Sequence, residues 1–575
     1  MTGSTDPTSQ FAANGQSSFR IAILTTFLIM MLSATIGIFC RDQIDHALFR
    51  HQDFWLMIVV FLAIIVTQYR KSSNWGQKFE LHPSHLFFLA LIVFIFCTIG
   101  HYTILSGFNL SRDEKLADFD AWIYARGQLA WPLPAVWQRE ASALNLMFMM
   151  PVRQPVAWVS SYLPMNAAIR AMVGTVATPA ITGPLLTALS LPLLWGCARR
   201  LWPGDREAAV VAVALLASSG QFLFTGMTAF AMPAHLFFNL LWLWLFVRDK
   251  RGADLLALVA GFVATGLHQP LFHPLFVVPW LALLLYRKQY WRLAIYAAGY
   301  VLICAFWLWW PHFAQSLVTG PASLTQAGST SYWSRLVRTL GNNEDNLQFM
   351  GLNLLRLCTW QNVILLPLVI VGLRDACRSG TGLALVAGLL LPIVVMAIIL
   401  PAQGFGFGYR YLHPVLGNAA LLAAIGWRRL GSLRDGMRRP FLWATALSVL
   451  VMLPTQAWMT HQLFSMVAKK DRQLKSSGVD YVVLPNIEPG VVPDFADNRP
   501  DLSNRPLILL ANRVRDLDGL AARLCQPDTK VALASDGMFK DMKRYFQTVD
   551  EHDRAWLSDV TNTFSSAGCS VKILR

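Results

Sequence analysis

The chain is 575 residues long, with 55% apolar residues and only 14% charged ones. A soluble domain is about a quarter charged, so this deficit excludes a soluble globular protein, a coiled coil and a disordered chain, and requires an apolar solvent. The formal charge of +15 then reads as topogenic Lys and Arg held on one side of a bilayer, and no nucleic-acid partner is expected.

Runs of about 20 apolar residues begin with Ile21 to Cys40, behind a polar tail at 1–20. That run is too long for a signal-peptide core and reads as a retained span. Further spans are expected at 54–69, 85–105, 180–198, 207–224, 233–247, 253–268, 271–286, 293–311, 351–373, 381–401, 411–426 and 441–458, thirteen in all. Lys and Arg test the count. Loops 70–84, 199–206, 248–252, 287–292, 374–380 and 427–440 hold nineteen of them, whereas the short loops 41–53, 225–232, 269–270 and 402–410 hold Arg41, Arg50 and Arg410 only. By the positive-inside rule the N-terminus is expected in the cytoplasm of a multi-pass inner (plasma) membrane protein. Everything after Trp458 is then expected outside.

The domain reading follows: a cytoplasmic tail (1–20), three N-terminal helices (21–105), an outer acidic loop with amphipathic helices (106–179), a transmembrane core (180–458) with a second outer loop (312–350), and an exported region (459–575). The second loop is expected to close over substrate. In the exported region, Tyr481 to Leu484, Leu507 to Leu510, Val531 to Ala534 and Val571 to Leu574 read as strands alternating with helix near 515–525 and 551–567, a small α/β domain. The fold class is therefore an α-helical polytopic membrane protein carrying a small C-terminal α/β domain. Cys525 and Cys569 are the only cysteines after the last expected span, and an oxidising compartment permits a disulfide between them. No CxxC pair or HExxH spacing occurs, so neither a metal site nor a metal cofactor is expected.

Chemistry concentrates in Ser111-Arg-Asp-Glu-Lys-Leu-Ala-Asp-Phe-Asp-Ala-Trp-Ile-Tyr124, with four carboxylates just beyond an expected span. On a helix, Asp113 and Asp120 share a face with Tyr124 one turn further on, while Glu114 and Asp118 share another. A partly desolvated carboxylate at a membrane surface can act as general base on a hydroxyl, which makes Asp113, Asp120 and Glu114 the catalytic candidates. Ser111 and Glu114 also spell a capping box, and Asp113 suits the first turn of a helix dipole.

This series resembles the GT-C superfamily of membrane glycosyltransferases, in particular the branch of protein O-mannosyltransferases and lipid A aminoarabinose transferases. The resemblance runs through Asp113-Glu114, Asp120-x-x-x-Tyr124, Trp131-Pro-Leu-Pro134, Ser161-Tyr-Leu-Pro-Met-Asn166 and Gly408-Tyr-Arg-Tyr-Leu-His-Pro414, over roughly 105 to 430. It departs from the family in placing two extra spans before the acidic loop and in lacking a second outer acidic residue at 225–239. The resemblance implies a GT-C-like fold and transfer of a sugar from a polyprenyl-phosphate donor to a glycan, lipid or protein acceptor on the outer face, and the missing acidic residue at 225–239 speaks against a metal-dependent variant.

Developing charge on the departing phosphate calls for cations, and Arg410 and Arg153 are candidates, with Arg126 and Arg170 also on the outer side. Arginine binds phosphate in bidentate fashion, although an interfacial arginine also snorkels. Tyr411, Tyr124, Tyr162, His268 and His273 complete the expected substrate-binding set, with packing the competing role for the histidines. Trp131, Trp137 and Trp158 fit either an interface belt or a sugar-stacking surface. The alternative class is a lipid or solute transporter or flippase, or a scaffold with an exported binding domain. Transporters place ionisable groups and broken helices at mid-membrane, and Arg356 is the main charge found within an expected span.

Overall fold

The computed structural model describes residues 7–69, 78–145, 148–152, 154–320, 345–485, 491–545 and 553–575. It divides into two compact units. One comprises Met1–Gly100, Ala180–Trp307 and Tyr332–Met459; the other comprises His101–Pro179, Leu308–Ser331 and Thr460–Arg575.

Each of the thirteen expected segments contains helix, and the chain is a multi-pass membrane protein. Among the described residues seven helical runs are long and apolar enough to cross a bilayer: Ser17–Gly37, Gln43–Thr67, Pro83–Thr103, Pro179–Leu201, Tyr290–Val318, Gly380–Ile399 and Arg434–Lys475. Met232–Phe246 and Phe272–Tyr286 are apolar but shorter, and Arg206–Ala217 with Gly220–Gly226 forms a further run bent by 57°. The expected tail at 1–20 is helical from Pro7 onward.

Three of the departures from straight spans have a polar reason. Residues 41–53, expected as a loop, are helical over Gln43–Leu48 and pass through a π-helical turn, Phe49–Asp53, into Phe54–Tyr69. Asp45 and Asp53 are tolerated there because Arg356 donates to both, from Nη1 to Asp45 Oδ1 at 2.6 Å and from Nε to Asp53 Oδ2 at 2.8 Å. The expected span at 351–373 is two helices, Asn346–Thr359 and Leu365–Ala376, and the one at 207–224 breaks after Ala217. Backbone groups freed in an apolar medium must find partners inside the protein, and these two breaks supply each other. The Gln221 amide donates to the Trp360 carbonyl (2.9 Å), Ser219 Oγ to Gln361 Oε1 (2.7 Å) and Asn362 Nδ2 to Ser218 Oγ (2.8 Å). Close approach of Leu365–Ala376 to Leu416–Arg429 depends on glycine: a Cβ on Gly426 would lie 1.9 Å from the Leu368 carbonyl oxygen.

In the second unit, the expected outer loop and the exported region share one hydrophobic core and are not separate bodies. Ser111 opens the helix Arg112–Tyr124, here called the acidic helix, through the capping box read from sequence: its side chain accepts from the Glu114 amide and Glu114 reaches back to the Ser111 amide. Strand β1 (Trp131–Pro132) pairs antiparallel with β2 (Ala157–Trp158). The C-terminal region forms β3 (Tyr481–Leu484), β4 (Leu507–Leu510), β5 (Lys530–Ala534) and β6 (Ser570–Leu574), all parallel in the order β4-β3-β5-β6. The helices Leu517–Leu524 and Asp553–Ser566 lie in its crossovers. The core joins Phe119 and Ile123 of the acidic helix and Trp137, Leu144 and Trp158 to Leu509, Leu520, Leu533 and Phe564 of the C-terminal region. Trp137 and Trp158 are thus buried, at 5% and 3% exposure, and neither forms a membrane belt nor a sugar platform. Cys525 and Cys569 are joined in a disulfide with Cα atoms 4.9 Å apart.

Two stability predictions follow from these contacts. Arg356→Met leaves Asp45 and Asp53 buried without their guanidinium and is expected to cost about 3–5 kcal/mol, seen as a lower Tm in detergent; an unchanged Tm would show that the triad contributes nothing. Opening the loop of 44 residues with Cys525→Ser and Cys569→Ser is expected to cost roughly 4 kcal/mol by loop entropy. Mass spectrometry of unreduced peptides checks that the bond is present.

Candidate functional site

The four carboxylates of the acidic helix have different partners. Glu114 is 1% exposed and spent on the capping box. Asp118 is bound by Arg170, whose Nε and Nη2 both reach Oδ1, and by Asn109 Nδ2. Asp113 and Asp120 instead face the segment after β2. The Tyr162 hydroxyl donates to Asp113 Oδ1 at 2.6 Å, the Ser160 amide donates to Asp120 Oδ1 at 3.0 Å, and the Ser160 hydroxyl donates to Asp120 Oδ2. Their spacing of seven residues thus brings both to one short stretch of chain, Ser160 to Tyr162.

Accessibility separates the two. Asp113 is half-buried, but Asp120 is 2% exposed. Burial pushes the Asp120 carboxyl up to about 7, against the opposing effect of both Ser160 hydrogen bonds. Tyr124 packs on Ala121, Ala167 and Ala171, and burial, followed by the nearby Asp120 charge, holds its hydroxyl protonated.

Of the remaining expected residues, Arg410, Tyr411, His268 and His273 lie in the first unit and Arg126 in the second, while Arg153 falls outside the described residues, as does most of the expected lid at 312–350. Arg410 is 6% exposed, with its guanidinium 4.8 Å from the Phe230 ring centre and Nη2 donating to the Tyr411 hydroxyl at 3.3 Å. It is therefore buried among aromatic rings and does not snorkel. A polar network fixes its backbone: Gln403 Oε1 accepts from the Arg410 amide (2.8 Å), Gln403 Nε2 donates to the Gly408 carbonyl (2.9 Å) and Gln221 Nε2 to the Tyr409 carbonyl (2.6 Å). Gly408 has φ +63°, and a Cβ there would meet Gln221 Oε1 at 2.3 Å.

His273 is fully buried, with Nδ1 2.7 Å from Asn239 Oδ1 and Nε2 2.8 Å from the Tyr300 hydroxyl. Both ring nitrogens are engaged, so in this structure His273 ties neighbouring helices together, the packing role read for it beside substrate binding. His268 packs near Phe272, with ring centres 6.2 Å apart. Among the described residues no three His, Cys, Asp or Glu side chains are grouped so as to hold a metal ion. Ser160 and the glutamines 221, 361 and 403 were not legible as site residues, because their partners lie far away in sequence and no local pattern marks them.

No protein-family model and no curated protein sequence matches the chain. Among solved structures it is similar to ArnT from Cupriavidus metallidurans bound to undecaprenyl phosphate, at 13% identity and a TM-score of 0.44 over 72% of this chain and 84% of that one. It is also similar to the apo state of the same protein, at 12% identity and a TM-score of 0.46 over the same shares.

Burial of Asp120 makes stability depend on pH. The unfolded carboxyl ionises near its ordinary value, about 3.9, while the folded one keeps its proton up to about 7. Between these values the folded state holds more protons, so stability falls as pH rises through that window. Asp120→Asn is expected to flatten this part of the Tm against pH curve, and an unaltered slope would remove Asp120 as its source.

Proposed function

We propose that this chain is a membrane glycosyltransferase that moves a sugar from a polyprenyl-phosphate donor to an acceptor on the outer face of the membrane. In this reading the N-terminus is cytoplasmic, and residues 106–179 and 459–575 lie outside. The observation that carries it is the division of labour on the acidic helix: Glu114 and Asp118 are spent on capping and on Arg170, whereas Asp113 and Asp120 are held by hydroxyls of one facing segment. Hydroxyl-bound carboxylates at a membrane surface suit proton removal from another hydroxyl.

Asp113, the more accessible, is the general base. It takes the proton from the acceptor hydroxyl as that oxygen attacks the anomeric carbon. The bond from that carbon to the phosphate oxygen breaks, and polyprenyl phosphate leaves with the electron pair. Asp120 is a positioning residue that fixes Ser160 and with it Tyr162. Arg410 is assigned to the donor phosphate because it is a buried cation with a rigid backbone; a guanidinium is suited to paired hydrogen bonds with phosphate oxygens.

A second reading is favoured by two observations in the first unit. The buried set Asp45, Arg356 and Asp53 and the facing helix breaks at Ser218 and Trp360 are features of transporters. Liposome flux measured on reconstituted protein separates the classes.

Transfer assays with a polyprenyl-phosphate sugar and purified variants test the enzyme reading. Asp113→Asn is expected to lose about 10²–10⁴-fold, the usual contribution of a general base, with folding retained. Asp120→Asn is expected to lose less and to abolish the fall in rate below about pH 7 that protonation of this residue imposes. Near wild-type transfer in both variants would overturn the assignment. Arg410→Ala is expected to raise the donor KM and leave the acceptor KM unchanged, with Arg410→Lys recovering only part of the loss.

A further inference from the structure

The acidic helix is gripped from its other side by the C-terminal region. Arg112 Nε donates to Asp494 Oδ1, Lys115 Nζ donates to the Asp494 carbonyl, and Lys115 Nζ also lies 4.0 Å from Asp497 Oδ2. The Lys115 ammonium sits over the Phe108 and Phe495 rings, at 4.9 and 5.9 Å from their centres. Asp494 is 4% exposed and belongs to the 3₁₀ turn Val492–Phe495. That turn is itself anchored, because Phe495 stacks on Phe539, 5.9 Å away, in the 3₁₀ segment Asp536–Arg544 that follows β5. Asp497 lies 4.0 Å from Lys475 as well.

The turn stands in a meaningful place in the sheet. β3 has β4 on one side and β5 on the other, so the strand order reverses at β3, where open α/β sheets direct their strand-end loops to ligands. Here the segment from Val491 onward meets Arg112 and Lys115. Arg112 is the sequence neighbour of Asp113, and the charge of Asp113 acts on Asp494. Removing the partner of a buried carboxylate leaves an unpaired charge, which is costly, and Asp494, with its side chain at 6% exposure beside a part-exposed Arg112, is such a group.

We propose that Asp494 is a positioning residue through which the C-terminal α/β region holds the acidic helix in register with Ser160 and Tyr162. Its effect on rate rests on the glycosyl-transfer reading, whereas its effect on the helix does not. Asp494 acts through Arg112 and Lys115.

Hydrogen exchange on the full-length protein in nanodiscs tests this without reference to activity. In Asp494→Ala, and independently in Arg112→Gln should the first variant fold poorly, amides of 113–124 are expected to exchange roughly tenfold faster, as the loss of a charged hydrogen bond implies. Strands β3, β4 and β5 are expected to keep their protection, and Asp494→Glu to restore part of the helix protection. Unchanged exchange in both variants would overturn the proposal, and so would a uniform rise that includes the strands, which marks a merely structural contact. In transfer assays the pH of half-maximal rate is expected to move below the wild-type value as water reaches Asp120, beside which Tyr124 is the titratable neighbour. A shifted helix exchange in a protein that transfers no sugar would uphold the positioning role and reject the glycosyl-transfer reading alone.

Discussion

Burial of Phe119 and Ile123 is the constraint on which the second unit depends. These two side chains of the acidic helix enter a core completed by Leu509, Leu520, Leu533 and Phe564 of the C-terminal region, more than 380 residues along the chain. Apolar burial is strong but non-directional, so it places the helix without setting its rotation. Polar contacts on its flanks do that: Arg112 and Lys115 toward Asp494, Asp118 toward Arg170, Asp113 and Asp120 toward Tyr162 and Ser160. A helix with a mean composition as polar as this one is ordered by its surroundings more than by its own propensity.

The first unit answers a different demand. A broken helix in an apolar medium exposes donors and acceptors that water cannot reach, and each costs free energy until it is paired. Two breaks placed against each other pair through Ser218, Ser219, Gln361 and Asn362. The same chain of amides continues from Gln361 Nε2 to Gln221 Oε1 at 2.7 Å, and from Gln221 to the Tyr409 carbonyl. The backbone around Arg410 is therefore fixed by groups whose first duty is to satisfy the helix breaks.

Local pattern made much of this protein legible. Apolar run length located the helical segments, because span length is set by bilayer thickness. Alternation of short apolar stretches with helical ones located all four C-terminal strands to within a residue. The Ser111 and Glu114 spacing gave the capping box, and seven-residue spacing put Asp113 and Asp120 on one face, since helical periodicity is a property of the backbone alone. The pairing of Cys525 with Cys569 was accessible by counting alone.

What tertiary structure decided is whatever depends on a distant partner. Residues 41–53 read as a loop because Asp45 and Asp53 are charged, and the guanidinium of Arg356, three hundred residues away, makes them compatible with a helix. Gln361 and Asn362 look like ordinary polar residues in an apolar run until the facing break accepts their hydrogen bonds. Trp137 and Trp158 carry no local mark that separates an interface belt from a core, and the C-terminal sheet that buries them settled it. Asp494, in a polar loop, has no sequence feature linking it to Arg112. Sequence therefore determined the elements and the faces they present, through local periodicity and solvent. The structure alone determined which partner each carboxylate of the acidic helix meets, because that choice is made by side chains that come together only after folding.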